Sequence, residues 1–247
     1  MNDNIYSKKR TVTPFKFDEE VVRVFPDMIG RSVPGYDLTL PLIGIIAERY
    51  AQPNSNIYDL GCSLGAASII VRHHLDQTRH DGCRIIGIDN SEAMVNQCRE
   101  NVAQDTAAMP TKLAEMDVRL GDIRTADIQN ASMVVLNFTL QFIDPADRDA
   151  LIQRIYAGLN PGGVLVVSEK VVFDSPEKTN RYIDLHHDFK MANGYSELEV
   201  AQKRTSIMNV LIPETIPAHQ KRMLDAGFSS AELWFQALNF CSLLAIK

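Results

Sequence analysis

The chain has 247 residues, 45% hydrophobic and 23% charged, with 25 basic and 31 acidic side chains and a net charge of −6. That composition supports a sizeable core and excludes a disordered chain. It also argues against a protein that grips nucleic acid by its phosphates, which needs a basic footprint. At roughly 100–200 residues per domain, one large domain with an appended cap accounts for the length. No stretch approaches the ~18 apolar residues of a membrane helix. The polar N-terminus, with Lys8, Lys9 and Arg10, has no signal-peptide core, so the expected location is cytoplasmic. Cys62, Cys83, Cys98 and Cys241 form no CxxC pair and no zinc-spaced cluster. They read as buried reduced thiols, and no metal is expected.

In chain order, residues 1–14 read as a flexible tail and 15–247 as a single domain. Residues 15–52 would form a helical cover. Val21, Val22, Phe25, Met28 and Ile29 recur at helical spacing. A break at Val33-Pro34-Gly35 precedes a second helix over about 40–50. Strands follow at 57–60, 84–88, 117–120, 132–138 and 164–170, the last opened by a turn at Gly162-Gly163. Helices at 66–74, 91–104 (with Ser91 as N-cap) and 145–159 fill three of the four gaps between them. Near-continuous apolar strands alternating with helices predict a parallel sheet covered on both faces. Residues 174–210 are polar and helix-prone, a candidate lid or subunit contact. A helix at 219–226 closes at Gly227, and strands at 231–235 and 240–246 predict an edge hairpin.

The informative segment is Asp59-Leu60-Gly61-Cys62-Ser63-Leu64-Gly65. It joins a strand to a helix, where a glycine turn admits a ligand to the backbone and the helix aims free N–H groups at it. Asp89 ends the next strand, 24 positions past Gly65. A carboxylate there accepts two ribose hydroxyls. Turn, Asp89 and strand order together predict an adenosine-containing cofactor. A dinucleotide site would need G-x-G-x-x-G, which is absent.

The D-x-G-x-x-x-G pattern resembles motif I of the S-adenosylmethionine-dependent methyltransferase fold. That resemblance implies a Rossmann-like α/β architecture with a seven-stranded, mostly parallel sheet whose last hairpin supplies a reversed strand. It places Asp122 and the Ile123 amide against the adenine, and Asn137 beside the methionine moiety. Asp122 has a second reading as a helix or turn cap. Motif I usually has a central glycine where this chain has Ser63, so the Cys62 and Ser63 side chains would stand near the methionine end. No histidine lies near Cys62 in sequence to activate it as a nucleophile. The segment after the fourth strand, Asn137-Phe138-Thr139-Leu140-Gln141-Phe142, has no ionisable group and lacks the Pro-Pro-aromatic run of amino methylases. The chemistry therefore need not use a protein base there.

Longer segments are more specific. They are Val24-Phe25-Pro26-Asp27-Met28-Ile29, Arg31-Ser32-Val33-Pro34-Gly35-Tyr36, the motif I run, Asn130 through Phe142, His186-His187-Asp188-Phe189-Lys190, Ala192 through Glu199, Gln202-Lys203-Arg204 and Glu232-Leu233-Trp234-Phe235-Gln236. From about residue 17 onward the chain resembles the carboxy-S-adenosyl-L-methionine synthase family. The resemblance implies conversion of S-adenosyl-L-methionine and prephenate to carboxy-S-adenosyl-L-methionine and phenylpyruvate. The product would feed a tRNA carboxymethyltransferase that forms 5-carboxymethoxyuridine at the wobble position. It further implies a homodimer, no metal and no direct hold on nucleic acid. On the implied route, prephenate loses CO₂ and hydroxide, hydroxide deprotonates the sulfonium methyl group, and the ylide captures CO₂.

By the same matching, Arg204 holds the new carboxylate, since a guanidinium donates two parallel hydrogen bonds to one. Tyr36 lines that pocket, and Gly61, Cys62, Ser63, Asp89, Asn90, Asp122, Ile123 and Asn137 surround the cofactor. On residue type alone, Arg204 reads as a solvated helix residue. Adjacent His186 and His187 have poor spacing for a metal pair. Two other readings are a conventional methyltransferase acting on a small molecule and a non-catalytic module that binds S-adenosylmethionine.

Overall fold

The computed structural model describes residues 1–75, 79–109 and 113–247. Helices α1 (Glu19–Ser32) and α2 (Tyr36–Tyr50) come first. Then β1 (Asn56–Leu60), α3 (Ala66–His74), β2 (Arg84–Asp89), α4 (Glu92–Ala108), β3 (Glu115–Leu120), β4 (Ala131–Asn137), α5 (Pro145–Gly158) and β5 (Leu159–Lys170) alternate. Helices α6 (Pro176–Ala192), α7 (Glu197–Ile207) and α8 (Ile216–Ala226) precede β6 (Ser230–Ala237) and β7 (Phe240–Ile246). The sheet order is β3-β2-β1-β4-β5-β7-β6. Strands β1 to β5 pair in parallel, while β7 is antiparallel to β5 and β6. The predicted doubly covered α/β sheet and its reversed hairpin are both present.

Burial explains the order. Met133, Val134, Val135 and Leu136 of β4 have no exposed surface, as a strand covered on both faces requires. One face packs Leu151, Ile152 and Ile155 of α5 and Met223 of α8. The other packs Ile43 and Ala47 of α2 and Ala67 and Val71 of α3. Helix starts are set locally: Asp18, Ser91 and Ser196 each accept amides of the first turn.

Several boundaries differ from expectation. Helix α2 begins at Tyr36 rather than about 40, directly after Gly35 at φ 79°. The Gly162-Gly163 pair is not a turn into β5. The strand already begins at Leu159, and the pair occupies an irregularity opposite Ala131 and Met133. The insert at 174–210 resolves into α6 and α7, and α1 packs against α6.

The N-terminal segment also departs from the expected tail. Asp3 is 5% exposed and accepts the Tyr195 hydroxyl at 2.6 Å. Gln202 donates to the Tyr6 and Lys8 carbonyls and accepts the Arg10 amide. These partners lie more than 180 positions away in sequence, so no local pattern reveals them.

Arg148 is fully buried and donates to the Ile143, Gln141 and Ile212 carbonyls and to Glu214. Arg222 adds two bonds to the same carboxylate. Burial raises the Glu214 pKa, but the Arg222 and Arg148 hydrogen bonds outweigh it and hold the carboxyl at about 2, against 4.5 ordinarily. A depressed pKa stabilises the fold fully above the unfolded value and progressively less as pH falls through the folded one. Glu214→Gln is therefore expected to cost on the order of 2 kcal/mol at pH 7, with the gap from wild type narrowing below pH 4.5. Urea unfolding of both proteins between pH 6 and pH 3 measures it, and a pH-independent gap contradicts the assignment.

Candidate active site

The loop after β1 is shaped by three left-handed residues: Gly61 (φ 80°), Ser63 (φ 50°) and Gly65 (φ 84°). The Gly61 and Cys62 amides donate to the Ile88 carbonyl, tying the turn to β2. A Cβ on Gly61 would lie 2.4 Å from Thr139 Cγ2, so this position must stay bare. Ser63 occupies the conformation that glycine favours, although it is the residue that departs from motif I. Asp59 accepts the Ser68 hydroxyl at 2.6 Å and fixes the first turn of α3; burial raises its pKa to about 6.

Asp89 closes the turn. Its Oδ2 accepts the Ser63 amide at 2.9 Å and its Oδ1 the Ser91 amide at 2.9 Å. Burial raises its pKa against these amide bonds. Each oxygen keeps a second lone pair, so the carboxylate can still accept two hydroxyls.

The turn opens into a cleft of about 620 Å³. Gly61, Ser63, Asp89, Asn90, Asp122, Ile123, Asn137 and Arg204 all line it. Asn137, at the end of β4, has a buried Oδ1 without a partner among the described residues. An orphaned acceptor in the cleft wall calls for a donor from a ligand. The backbone cradle at Gly61, the Asp89 lone pairs and this acceptor fit an adenosine-containing ligand with a polar tail.

Two expected residues stand outside the cleft. The Cys62 side chain packs on Val95, Cys98 and Val118, not at the methionine end. The positive φ of Gly61 and of Ser63 on either side turns it inward. Its bond to Cys98 and its burial push the thiol pKa up, which suits an inert thiol rather than a nucleophile. Tyr36 stands behind Phe138, ring centroids 6.3 Å apart, and Phe138 supplies the lining. Asp122 serves as the predicted cap, accepting the Arg124 amide, and also pairs with the Arg124 guanidinium. That hydrogen bond is the main cause of its lowered pKa.

The far wall is cationic. Lys170 of β5, His187 and Lys190 of α6, and Lys203 and Arg204 of α7 all line the cleft. Burial lowers Lys170 and Lys190 to about 8 and Lys203 to about 7. Sequence reasoning assigned no role to these lysines: Lys190 and Lys203 fall on polar helices and Lys170 at a strand end, with no motif around them. His186 donates or accepts nothing toward a metal: its Nε2 bonds the Ser32 carbonyl at 2.7 Å and its ring meets Phe240 edge-on. Among the described residues, no group of three or more His, Cys, Asp or Glu is placed to hold a metal ion.

The floor between the two walls is held by Glu169. Its carboxylate accepts the Leu140 amide at 2.9 Å and the Gln141 amide at 2.8 Å. Gln141 in turn accepts the Lys170 amide and donates to the Phe138 carbonyl. This fixes Phe138 at φ 61°. Burial raises Glu169 to about 8 despite both amides.

The sheet order, reversed β7 and strand-end cleft define an S-adenosylmethionine-dependent methyltransferase fold. A family model described as "Methyltransferase domain" matches residues 57–163. Human N-acetylserotonin methyltransferase, solved with SAM, superposes with a TM-score of 0.57 at 17% identity, covering 93% of this chain and 55% of that longer one. Sequence similarity is much narrower. Carboxy-S-adenosyl-L-methionine synthase from Aliivibrio fischeri (strain MJ11) is 57% identical over 94% of this chain and 93% of its own length. The namesake from Trichlorobacter lovleyi is 57% identical over 96% and 94%. The chain belongs to the carboxy-S-adenosyl-L-methionine synthase family. No described helix is long and apolar enough to cross a membrane.

Gly61→Ala is expected to weaken S-adenosylmethionine binding by roughly tenfold or more, since strain of about 1–3 kcal/mol enters at the turn. Calorimetric titration, with circular dichroism to confirm folding, checks this. Wild-type affinity in the variant contradicts the close approach to Thr139.

Proposed function

We propose that this protein makes carboxy-S-adenosyl-L-methionine and phenylpyruvate from S-adenosyl-L-methionine and prephenate. The observation that carries the reading is the position of Arg204. It lines the same cleft as Ser63, Asp89 and Asn137, and no carboxylate pairs with it among the described residues. A free guanidinium suits a carboxylate by donating two parallel hydrogen bonds, and the carboxylated product adds one at the methyl carbon beyond the carboxylate that S-adenosylmethionine already carries.

The chain's groups divide the work. Asp89 receives the ribose hydroxyls, Asp122 and Ile123 border the adenine, and Asn137 meets the methionine end. Phe17, Phe25 and Phe142 on the cleft wall exclude water. Exclusion matters because the carbanion equivalent of a sulfonium methyl group is quenched by any stray proton. The floor from Asn137 to Phe142 offers no ionisable group. Prephenate itself would then provide the base, as the hydroxide lost on aromatisation takes a methyl proton and leaves as water. The CO₂ lost in the same event forms the new bond to carbon, and Arg204 holds the resulting carboxylate.

We place the enzyme in the cytoplasm, as a homodimer without metal, supplying a separate tRNA carboxymethyltransferase that builds the wobble 5-carboxymethoxyuridine. The net charge of −6 agrees with a protein that makes the donor but leaves tRNA to its successor.

Mass spectrometry of a reaction with both substrates tests the assignment. The expected product is heavier than S-adenosylmethionine by one CO₂; S-adenosylhomocysteine instead would indicate ordinary methyl transfer. Arg204→Ala is expected to bind S-adenosylmethionine nearly as wild type yet lose carboxylated product by roughly 100-fold, as when a charged hydrogen-bonding partner is removed. Undiminished product formation by that variant would refute the role of Arg204.

A further inference from the structure

Lys190 is only 6% exposed, and its side chain lines the cleft. No ion pair or hydrogen bond involves its Nζ among the described residues; its near neighbour is the Tyr195 ring, 5.1 Å to the centroid. The carboxylates closest in influence are Asp3 and Glu199. Both border a small pocket that Lys190 also lines, and both already hold other donors. Asp3 accepts the Tyr195 hydroxyl, and Glu199 accepts the Ser196 amide and hydroxyl. Lys170 is in the same position at the end of β5. Its backbone is fixed by Gln141, and its Nζ faces only the Phe240 ring at 5.7 Å. Lys203 differs, since its Nζ contacts Met28 Sδ at 3.1 Å and lies 3.4 Å from the Phe15 ring centroid.

Burying an ammonium without a partner is costly, and native proteins pair such groups. Two unpaired ammonium groups facing one cleft therefore describe an anion site lacking its anion. Arg204 lies on a different helix and is the more exposed group. Cations from β5, α6 and α7 at different points of one cleft can hold two carboxylates of a ligand.

We infer that Lys170 and Lys190 form a second carboxylate subsite, distinct from Arg204, that selects a co-substrate carrying two carboxylates. The inference rests on the proposed function and deepens it. Arg204 takes the carboxylate that is transferred, and Lys170 and Lys190 take the one that stays on the departing aromatic acid. Two fixed points orient the reacting ring over the sulfonium methyl group. A monocarboxylate satisfies only one of them. Repulsion of Lys170 by Lys190 and Arg204 is relieved when the anion binds.

The experiment compares wild type with Lys190→Gln, Lys170→Gln and the charge-keeping Lys190→Arg. Each is assayed for KM and kcat toward prephenate and for S-adenosylmethionine affinity by calorimetry. Loss of one charged hydrogen bond predicts a KM increase of roughly tenfold or more in each glutamine variant, with S-adenosylmethionine affinity unchanged and Lys190→Arg near wild type. Isophthalate, an unreactive dicarboxylate, should bind wild type saturably and the glutamine variants at least about tenfold more weakly. Benzoate should not distinguish them. Unchanged KM in folded glutamine variants overturns the subsite while the proposed function stands. If wild type fails to turn over prephenate, the proposed function fails, and isophthalate binding alone decides the subsite. Weak, equal isophthalate binding by all four proteins overturns it.

Discussion

The cleft depends on one carboxylate. Asp89 takes the Ser63 amide with one oxygen and the Ser91 amide with the other. It thereby joins the turn after β1 to the start of α4. Ser63 is held at φ 50°, a conformation a serine adopts only when its surroundings enforce it. Cys62 then points into the core, and the bare backbone of Gly61 faces Thr139 and the ligand space. Remove the carboxylate and the turn loses the partner of its strained residue, while two half-buried amides lose their acceptor.

A second carboxylate does the corresponding work at β4. Glu169 accepts the Leu140 and Gln141 amides and so fixes the floor between nucleoside wall and cationic wall. It sits one residue before Lys170, and Gln141 bonds the Lys170 backbone. The group that holds the floor is thus mechanically continuous with a cation of the far wall. The two clamps explain how one fold can set carboxylates around the turn after β1 and cations from β5, α6 and α7 along the same cleft.

The sheet and motif I were legible because they rest on local signals: apolar strands, a glycine-bearing turn and an acid at the next strand end. Seven predicted site residues meet at one cleft for the same reason, since strand ends in such a sheet converge, while Arg204 reaches it from α7 and was placed only by family resemblance. What was not legible rests on geometry within a few residues or on contacts across the whole chain. The direction of Cys62 follows from the φ of its neighbours, which sequence does not display at a non-glycine such as Ser63. Tyr36 stands behind Phe138 because α2 starts earlier than its apolar pattern suggests. The first ten residues are polar and read as a tail, yet Gln202 and Tyr195 hold them from the other end of the chain. Lys170 and Lys190 carried no functional signal in sequence, since only α6 and β5 folded together bring them to one cavity.

The central claim is that the cleft moves a carboxyl group from one substrate to the methyl carbon of the other without releasing it to solvent. Prephenate labelled with ¹³C in its ring carboxylate tests this directly, with unlabelled bicarbonate in excess. The account predicts that the carboxylated sulfonium product carries the label in full. Label found only in dissolved bicarbonate, with unlabelled or absent product, would contradict it.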